Sequence, residues 1–205
     1  MKNLIFDFDG VLGNTWEAVM HALVASGREA DRAGAIRNAT EYFSKKPHHA
    51  RNHSLSDEQM AAEYEWVSRF GSFVDEYGFP MFSDFVQAIE LLPNKRVAVV
   101  SSGSQNHVLP AIEKTNLHPT HILAFEDHHS KEEKIELVCR DWGVAVSEVY
   151  YFTDTLADIY ELRDMIAEDK LIAVSWGYCT KEQLSTELSE EYILDTARDM
   201  KLLFT

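Results

Sequence analysis

Leu4-Ile5-Phe6-Asp7-Phe8-Asp9-Gly10-Val11 decides the fold: an apolar run that closes on two carboxylates and a glycine. Leu4–Phe8 predicts a strand buried on both faces, because such strands read as continuous apolar stretches. In open α/β sheets ligands bind beyond the carboxyl ends of the strands, which is where Asp7 and Asp9 then stand. Residues two apart on a strand point to one side, so both carboxylates are expected to face the same site. A carboxylate there can attack a substrate.

Outward from that stretch, four further apolar runs predict strands: Arg96–Ser101, His121–Phe125, Val149–Thr153 and Leu171–Trp176. Helical segments separate the later ones, which predicts right-handed crossovers and a Rossmann-like parallel sheet with helices on both faces. Ser130-Lys131-Glu132-Glu133 has the pattern of a capping box opening a helix over 130–142, which stops before Gly143. Residues 14–92 read as helix throughout. Asn14 with Glu17 resembles an N-terminal cap, followed by one apolar face of Trp16, Val19, Met20, Leu23 and Val24. Ser56 with Gln59 opens a long helix whose stripe of Met60, Tyr64, Val67, Phe70, Val74 and Tyr77 is expected to be core. It ends at Gly78 and Pro80, and a helix of about 83–92 follows. An insertion of roughly 70 residues is too long for a loop, and we read it as an all-helical cap domain over 15–82. The α/β core then comprises 1–14 and 83–205.

Composition narrows the function classes. The 205 residues suit one sizeable core with a smaller appended module, and 45% hydrophobic with 26% charged residues is ordinary for a globular protein. The formal net charge of −15 argues against nucleic acid or an anionic membrane as the partner. Cys139 and Cys179 have no motif spacing and suit a reducing compartment. No apolar stretch approaches the roughly 18 residues of a membrane span and no signal peptide precedes the first strand, so the expected location is the cytoplasm. An acidic chain with an anionic substrate needs a local source of positive charge.

Four segments converge if the strands are parallel: Asp7/Asp9, Ser101-Ser102-Gly103 after Val97–Val100, Lys131 at a helix start, and Thr153-Asp154-Thr155-Leu156-Ala157-Asp158 after Val149–Phe152. Strand–DxDG, strand–Ser, helix-initial Lys and strand–TDxxxD, in that order, resemble the haloacid dehalogenase superfamily of phosphohydrolases. The helical insertion resembles that superfamily's C1-type cap, as in phosphoglycolate phosphatase-like members. Thr153 stands where the family often has Gly, and Gly13-Asn14-Thr15 replaces a commoner Asp-Ser/Thr ending. Lys131 is followed by Glu rather than Pro, which leaves Lys134 as an alternative; the distance to Gly143 favours Lys131.

The resemblance implies roles. Asp7 attacks phosphorus and carries a transient acyl phosphate. Asp9 protonates the leaving oxygen and then takes a proton from water. Ser101 hydrogen-bonds a phosphoryl oxygen, helped by backbone N–H groups around Gly10, Ser102 and Gly103. Asp154 binds Mg2+ with the Asp7 side chain and the Asp9 carbonyl, while Asp158 holds a metal-bound water or orients the site. Charge physics agrees: two unit charges 4 Å apart interact by about 4 kcal/mol at an effective dielectric near 20, so four gathered carboxylates exceed what one lysine offsets. A hard cation with oxygen ligands is the natural solution, with Lys131 screening the remaining charge.

The expected activity is a Mg2+-dependent phosphatase of a small phosphorylated metabolite. A sugar phosphomutase of the same fold and an inactive phospho-ligand-binding protein stay open as alternatives. Dehalogenation is disfavoured, because Asp9 supplies the leaving-group acid of a phosphoryl mechanism. His128-His129 are expected in a surface loop. Lys45, Lys46, His48, His49, Arg51 and His53 form a basic island read as a solvated loop, with reach over the site as the sharper alternative. Trp16 is read as packing, and Trp176-Gly177-Tyr178 as a loop near the site without a chemical role.

Overall fold

Six parallel strands form one sheet in the order β3-β2-β1-β4-β5-β6 in the protein's structure, a computed structural model that describes residues 1–45 and 56–204. The strands are β1 (Lys2–Phe6), β2 (Lys95–Val100), β3 (His121–Leu123), β4 (Val149–Thr153), β5 (Leu171–Val174) and β6 (Ile193–Leu194). β1 lies in the middle, with Phe6 opposite Val99 on one side and Phe152 on the other. Strands 1, 2 and 4 therefore deliver their carboxyl ends side by side. Lys46, His48, His49, Arg51 and His53 of the basic island lie outside the described residues.

The pleat alternates side chains between two cores. Leu4, Phe6, Val97, Val99, Phe152, Ile172 and Val174 face α4 (Ser83–Glu90) and α5 (Gln105–Glu113). Ile5, Ala98, Val100, Tyr151, Leu171 and Ala173 face α6 (Lys131–Trp142), α7 (Leu156–Leu162) and α8 (Lys181–Leu184). Each fully buried Leu, Ile, Val or Phe contributes about 1.5–3 kcal/mol, so burial on both faces sets the register of every strand.

Between β1 and β2 the described residues make three further helices, α1 (Trp16–Ala25), α2 (Arg32–Ser44) and α3 (Asp57–Tyr77), which bury a separate apolar cluster of Val19, Met20, Leu23, Ala35, Ala39 and Val74. These are the inserted helical cap. The capping box of Ser56 and Gln59 is present in both directions. Asn14, by contrast, does not cap α1. Thr15 occupies the cap position without a side-chain cap bond, because its hydroxyl pairs with the Tyr178 hydroxyl at 2.6 Å.

Other sequence expectations are corrected. β1 stops at Phe6, two residues early, because the chain turns there: Asp7 N–H still donates to Phe152 O, but Val11, Leu12 and Gly13 fold back onto Phe8 O. Phe8 is fully buried in that turn, which is why it reads as strand. β3 and β5 are likewise shorter than their apolar runs. The stripe of α3 is not all core: Tyr77 is exposed, and Tyr64 meets Phe125 of the α/β core edge-on.

Candidate active site

Asp7 and Asp9 follow β1 directly, but not on one pleated face, because the strand has ended. Their side chains part. Asp7 Oδ2 accepts from Lys131 Nζ at 2.7 Å, and its Oδ1 accepts from Phe8 N–H at 2.7 Å. Asp9 instead meets His107, whose Nε2 lies 3.2 and 3.3 Å from its two carboxylate oxygens. Ser101, the first residue past β2, donates to Asp9 Oδ2 at 3.4 Å and accepts from Gly103 N–H at 2.8 Å.

The two lysines reach different partners. Lys131 opens α6 behind the Ser130 cap, is almost wholly buried, and donates to both Asp7 and Asp158, the latter at 2.6 Å. Lys134, one turn on, is spent on backbone: it donates to Ser101 O and to Ala124 O. It holds the β2 and β3 ends together. Burial and the nearby Lys131 charge lower it to about 7.

Asp158, near the start of α7, faces Lys131 and β4. Its Oδ2 accepts from Lys131, Thr153 Oγ1 at 2.7 Å and Tyr151 OH at 3.3 Å. It orients Lys131. One ammonium thus serves two carboxyl groups. Burial opposes the Lys131 charge, but Asp158 and Asp7 raise it well above its ordinary range. Burial pushes Asp7 up to about 8 despite Lys131, with the Asp158 charge adding to it.

Asp154 is fully buried beside this pair. Its Oδ2 accepts from Tyr178 N–H at 2.6 Å, while its Oδ1 has no partner among the described residues. Burial, then the Asp7 charge, push its carboxyl well up. The surroundings leave no room to spare: a Cβ on Gly10 would sit 1.8 Å from Asp154 Oδ2, and one on Gly177 2.3 Å away. Gly10 also has φ +75°, a left-handed conformation that only glycine adopts without strain. A cavity of about 230 Å³ shares Gly10, Gly177 and Tyr178 with the walls around Asp154.

An orphaned, buried carboxylate oxygen is the donor a hard cation requires, and the oxygens of Asp7 and Asp154 fit Mg2+ better than a softer metal. Among the described residues no group of three or more His, Cys, Asp or Glu side chains is assembled to hold a metal.

Around the expected phosphate site, Gly10 N–H donates to Gly13 O at 2.8 Å, and Gly103 N–H donates to Ser101 Oγ. Ser102 is exposed at the end of β2. Trp176-Gly177-Tyr178 does more than expected, since it supplies the amide and the bare backbone that hold Asp154. Trp16 packs edge-on against Tyr178 at 5.1 Å. His128 pairs with Glu133 at 2.7 Å and His129 packs on Phe125, so both are half-buried rather than loose on the surface.

Sequence reasoning missed His107. It stands on α5, 98 positions from Asp9, with no motif around it. The available signal was a lone titratable residue on the face that otherwise carries Val108, Ala111 and Ile112. Burial alone would raise Asp9, but the His107 charge and hydrogen bonds from His107 and Thr15 hold it below the ordinary carboxylate range.

The family model described as haloacid dehalogenase-like hydrolase matches residues 4–163. Among solved structures, a predicted phosphoglycolate phosphatase from Haemophilus somnus superposes with a TM-score of 0.72 at 14% identity, covering 100% of this chain and 98% of that one. A predicted phosphatase from Clostridium acetobutylicum gives 0.70 at 13% identity, covering 100% and 99%. A haloacid dehalogenase-like family hydrolase from Streptococcus pneumoniae gives 0.68 at 16%, also covering 100% and 99%. Identities this low speak for the fold alone. No curated protein matches the chain.

Proposed function

Since the chain belongs to the haloacid dehalogenase-like hydrolases, we propose that it is a Mg2+-dependent phosphatase of a small phosphorylated metabolite, working through a phosphorylated Asp7. The observation that carries this reading is the pairing of Asp7 with Lys131, beside a buried Asp154 oxygen that has no partner. The Asp7 carboxylate, the Asp9 carbonyl and Asp154 would hold the ion, and the phosphatase reading itself accords with the names of structures that share the fold.

When bound, Mg2+ supplies the positive charge that keeps Asp7 and Asp154 ionised and screens the phosphoryl oxygens. The chain's own groups do the rest. An Asp7 carboxylate oxygen attacks phosphorus as the bond to the leaving oxygen breaks, and Asp9 gives that oxygen a proton. Water then attacks the same phosphorus, Asp9 takes the water's proton, and Asp7 is released with inorganic phosphate. Lys131 neutralises charge gathering on the phosphoryl group, and Asp158 holds Lys131 in place. Ser101 Oγ, oriented by Gly103 N–H, donates to a phosphoryl oxygen, joined by the Ser102 amide.

The helices of residues 15–82 act as a cap on the core of 1–14 and 83–205. Asn106 Nδ2 of α5 donates to Ser68 O, Ser68 Oγ and Ser72 Oγ of α3 at 3.0–3.2 Å, which closes the cap over the β2 end. The test is a panel of phosphorylated metabolites with Mg2+, with and without EDTA. Release of inorganic phosphate that EDTA stops and Asp7→Asn abolishes is expected. A positional isomer as the product would make the protein a mutase. Turnover retained in Asp7→Asn would overturn the reading.

A further inference from the structure

We propose that His107 is a positioning residue for Asp9, holding its carboxyl in the one orientation from which it serves the leaving oxygen and then the attacking water. This rests on the phosphatase reading of the site, and it concerns a residue outside the motifs that identify the family.

Among the described residues the imidazole has a single polar partner. Its Nε2 lies between the two Asp9 oxygens, and its Nδ1 is buried without any partner. All of the ring's hydrogen bonding is therefore committed to one carboxyl. The ring itself cannot wander. Phe8 and Phe79 pack on it with centroids 5.8 and 6.2 Å away. Gly103 closes a third side so tightly that a Cβ there would lie 2.7 Å from the ring and 2.6 Å from Asp9 Oδ2. Gly71 of α3 closes the fourth, with a Cβ position 3.2 Å from Nδ1. The last wall belongs to the cap.

Asp9 needs such a holder more than Asp7 does. Its side chain is 19% exposed against 8% for Asp7, and its bond from Ser101 is long. The Nε2 of His107 lies within reach of both Asp9 oxygens at once, so it fixes the plane of the carboxyl as well as its position. Precise placement matters because proton transfer to the leaving group is worth 10²–10⁴-fold only within hydrogen-bond reach.

The test compares the whole protein with Mg2+ in four forms: wild type, His107→Phe, His107→Gln and His107→Asn. The readout is kcat/KM over a series of aryl phosphates of graded leaving-group basicity. Phe fills the space without a hydrogen bond, Gln keeps an amide near the Nε2 position, and Asn is a methylene too short. His107→Phe and His107→Asn are expected to fall by about 100-fold on the most basic leaving group and only a few-fold on p-nitrophenyl phosphate, steepening the dependence. His107→Gln should stay within a few-fold of wild type throughout. A loss that is uniform across the series, or Asn behaving like Gln, would overturn the proposal and leave the ring as packing. If His107→Phe does not fold, the Gln and Asn pair decides. Should Asp7→Asn remain active, the phosphatase reading itself fails; a dead Asp7→Asn with parallel dependences removes only the role of His107.

Discussion

Replacing Asp154 by Asn probes the cation site through stability rather than turnover. Asp154 is fully buried, its Oδ1 has no partner, and burial with the Asp7 charge pushes its carboxyl upward. An ion that binds only the folded chain stabilises it by about 2.7 kcal/mol at one hundred times its dissociation constant. For a chain of this size about 1 kcal/mol moves Tm by roughly 2–4 °C, so saturating Mg2+ should raise the wild-type Tm by roughly 5–11 °C. The Asn side chain keeps an oxygen for Tyr178 N–H and removes the charge that repels Asp7. In EDTA the variant should therefore melt at or above the wild type, while its response to Mg2+ shrinks to roughly 2 °C or less. Thermal unfolding monitored by circular dichroism, with and without Mg2+, reads both effects. A full wild-type Mg2+ shift in Asp154→Asn would remove Asp154 from the ligand set, and no shift in the wild type would remove the ion.

Two further outcomes follow from the same cluster. Lys131→Met leaves Asp7 and Asp158 without their shared cation and should lower kcat by at least about 100-fold, whereas Lys134→Met, which loses only bonds to Ser101 O and Ala124 O, should lower it far less; steady-state rates of the two variants with p-nitrophenyl phosphate decide, and equal losses would contradict the assignment. Stability without metal should depend on pH through Asp7, which burial raises from 3.8 to about 8. Between those values the folded chain keeps a proton that the unfolded chain has released, so this contribution is fully present below 3.8 and is lost as pH rises towards 8. Urea unfolding in EDTA at about pH 5 and about pH 8 should show the drop, and Asp7→Asn should shrink it.

How far the sequence reaches is clear from particular elements. β4 was legible to the residue, because Val149–Phe152 is an unbroken apolar run and Asp154 ends it. β1 was legible in kind but not in extent, since Phe8 is as buried as any strand residue while lying in a turn. β6 escaped because two residues, Ile193 and Leu194, are too few to show a period. Asp7, Lys131 and Asp154 could be found because each sits at the end of a strand or the start of a capped helix. His107 and the Tyr178 amide could not. Their partners, Asp9 and Asp154, are chosen by the fold across long stretches of chain, and nothing next to either residue announces it.

The hydroxyl pair of Thr15 and Tyr178 has a mechanical consequence. Thr15 is the root of the first inserted helix, and the backbone nitrogen of Tyr178 is what steadies Asp154. One tyrosine thus spans both, with its hydroxyl and ring against the inserted helices and its main chain against the Asp154 carboxylate. A single side chain therefore ties the root of the insertion to the oxygen pair beneath it, so replacing Tyr178 would cut the hydroxyl link while leaving its backbone amide on Asp154.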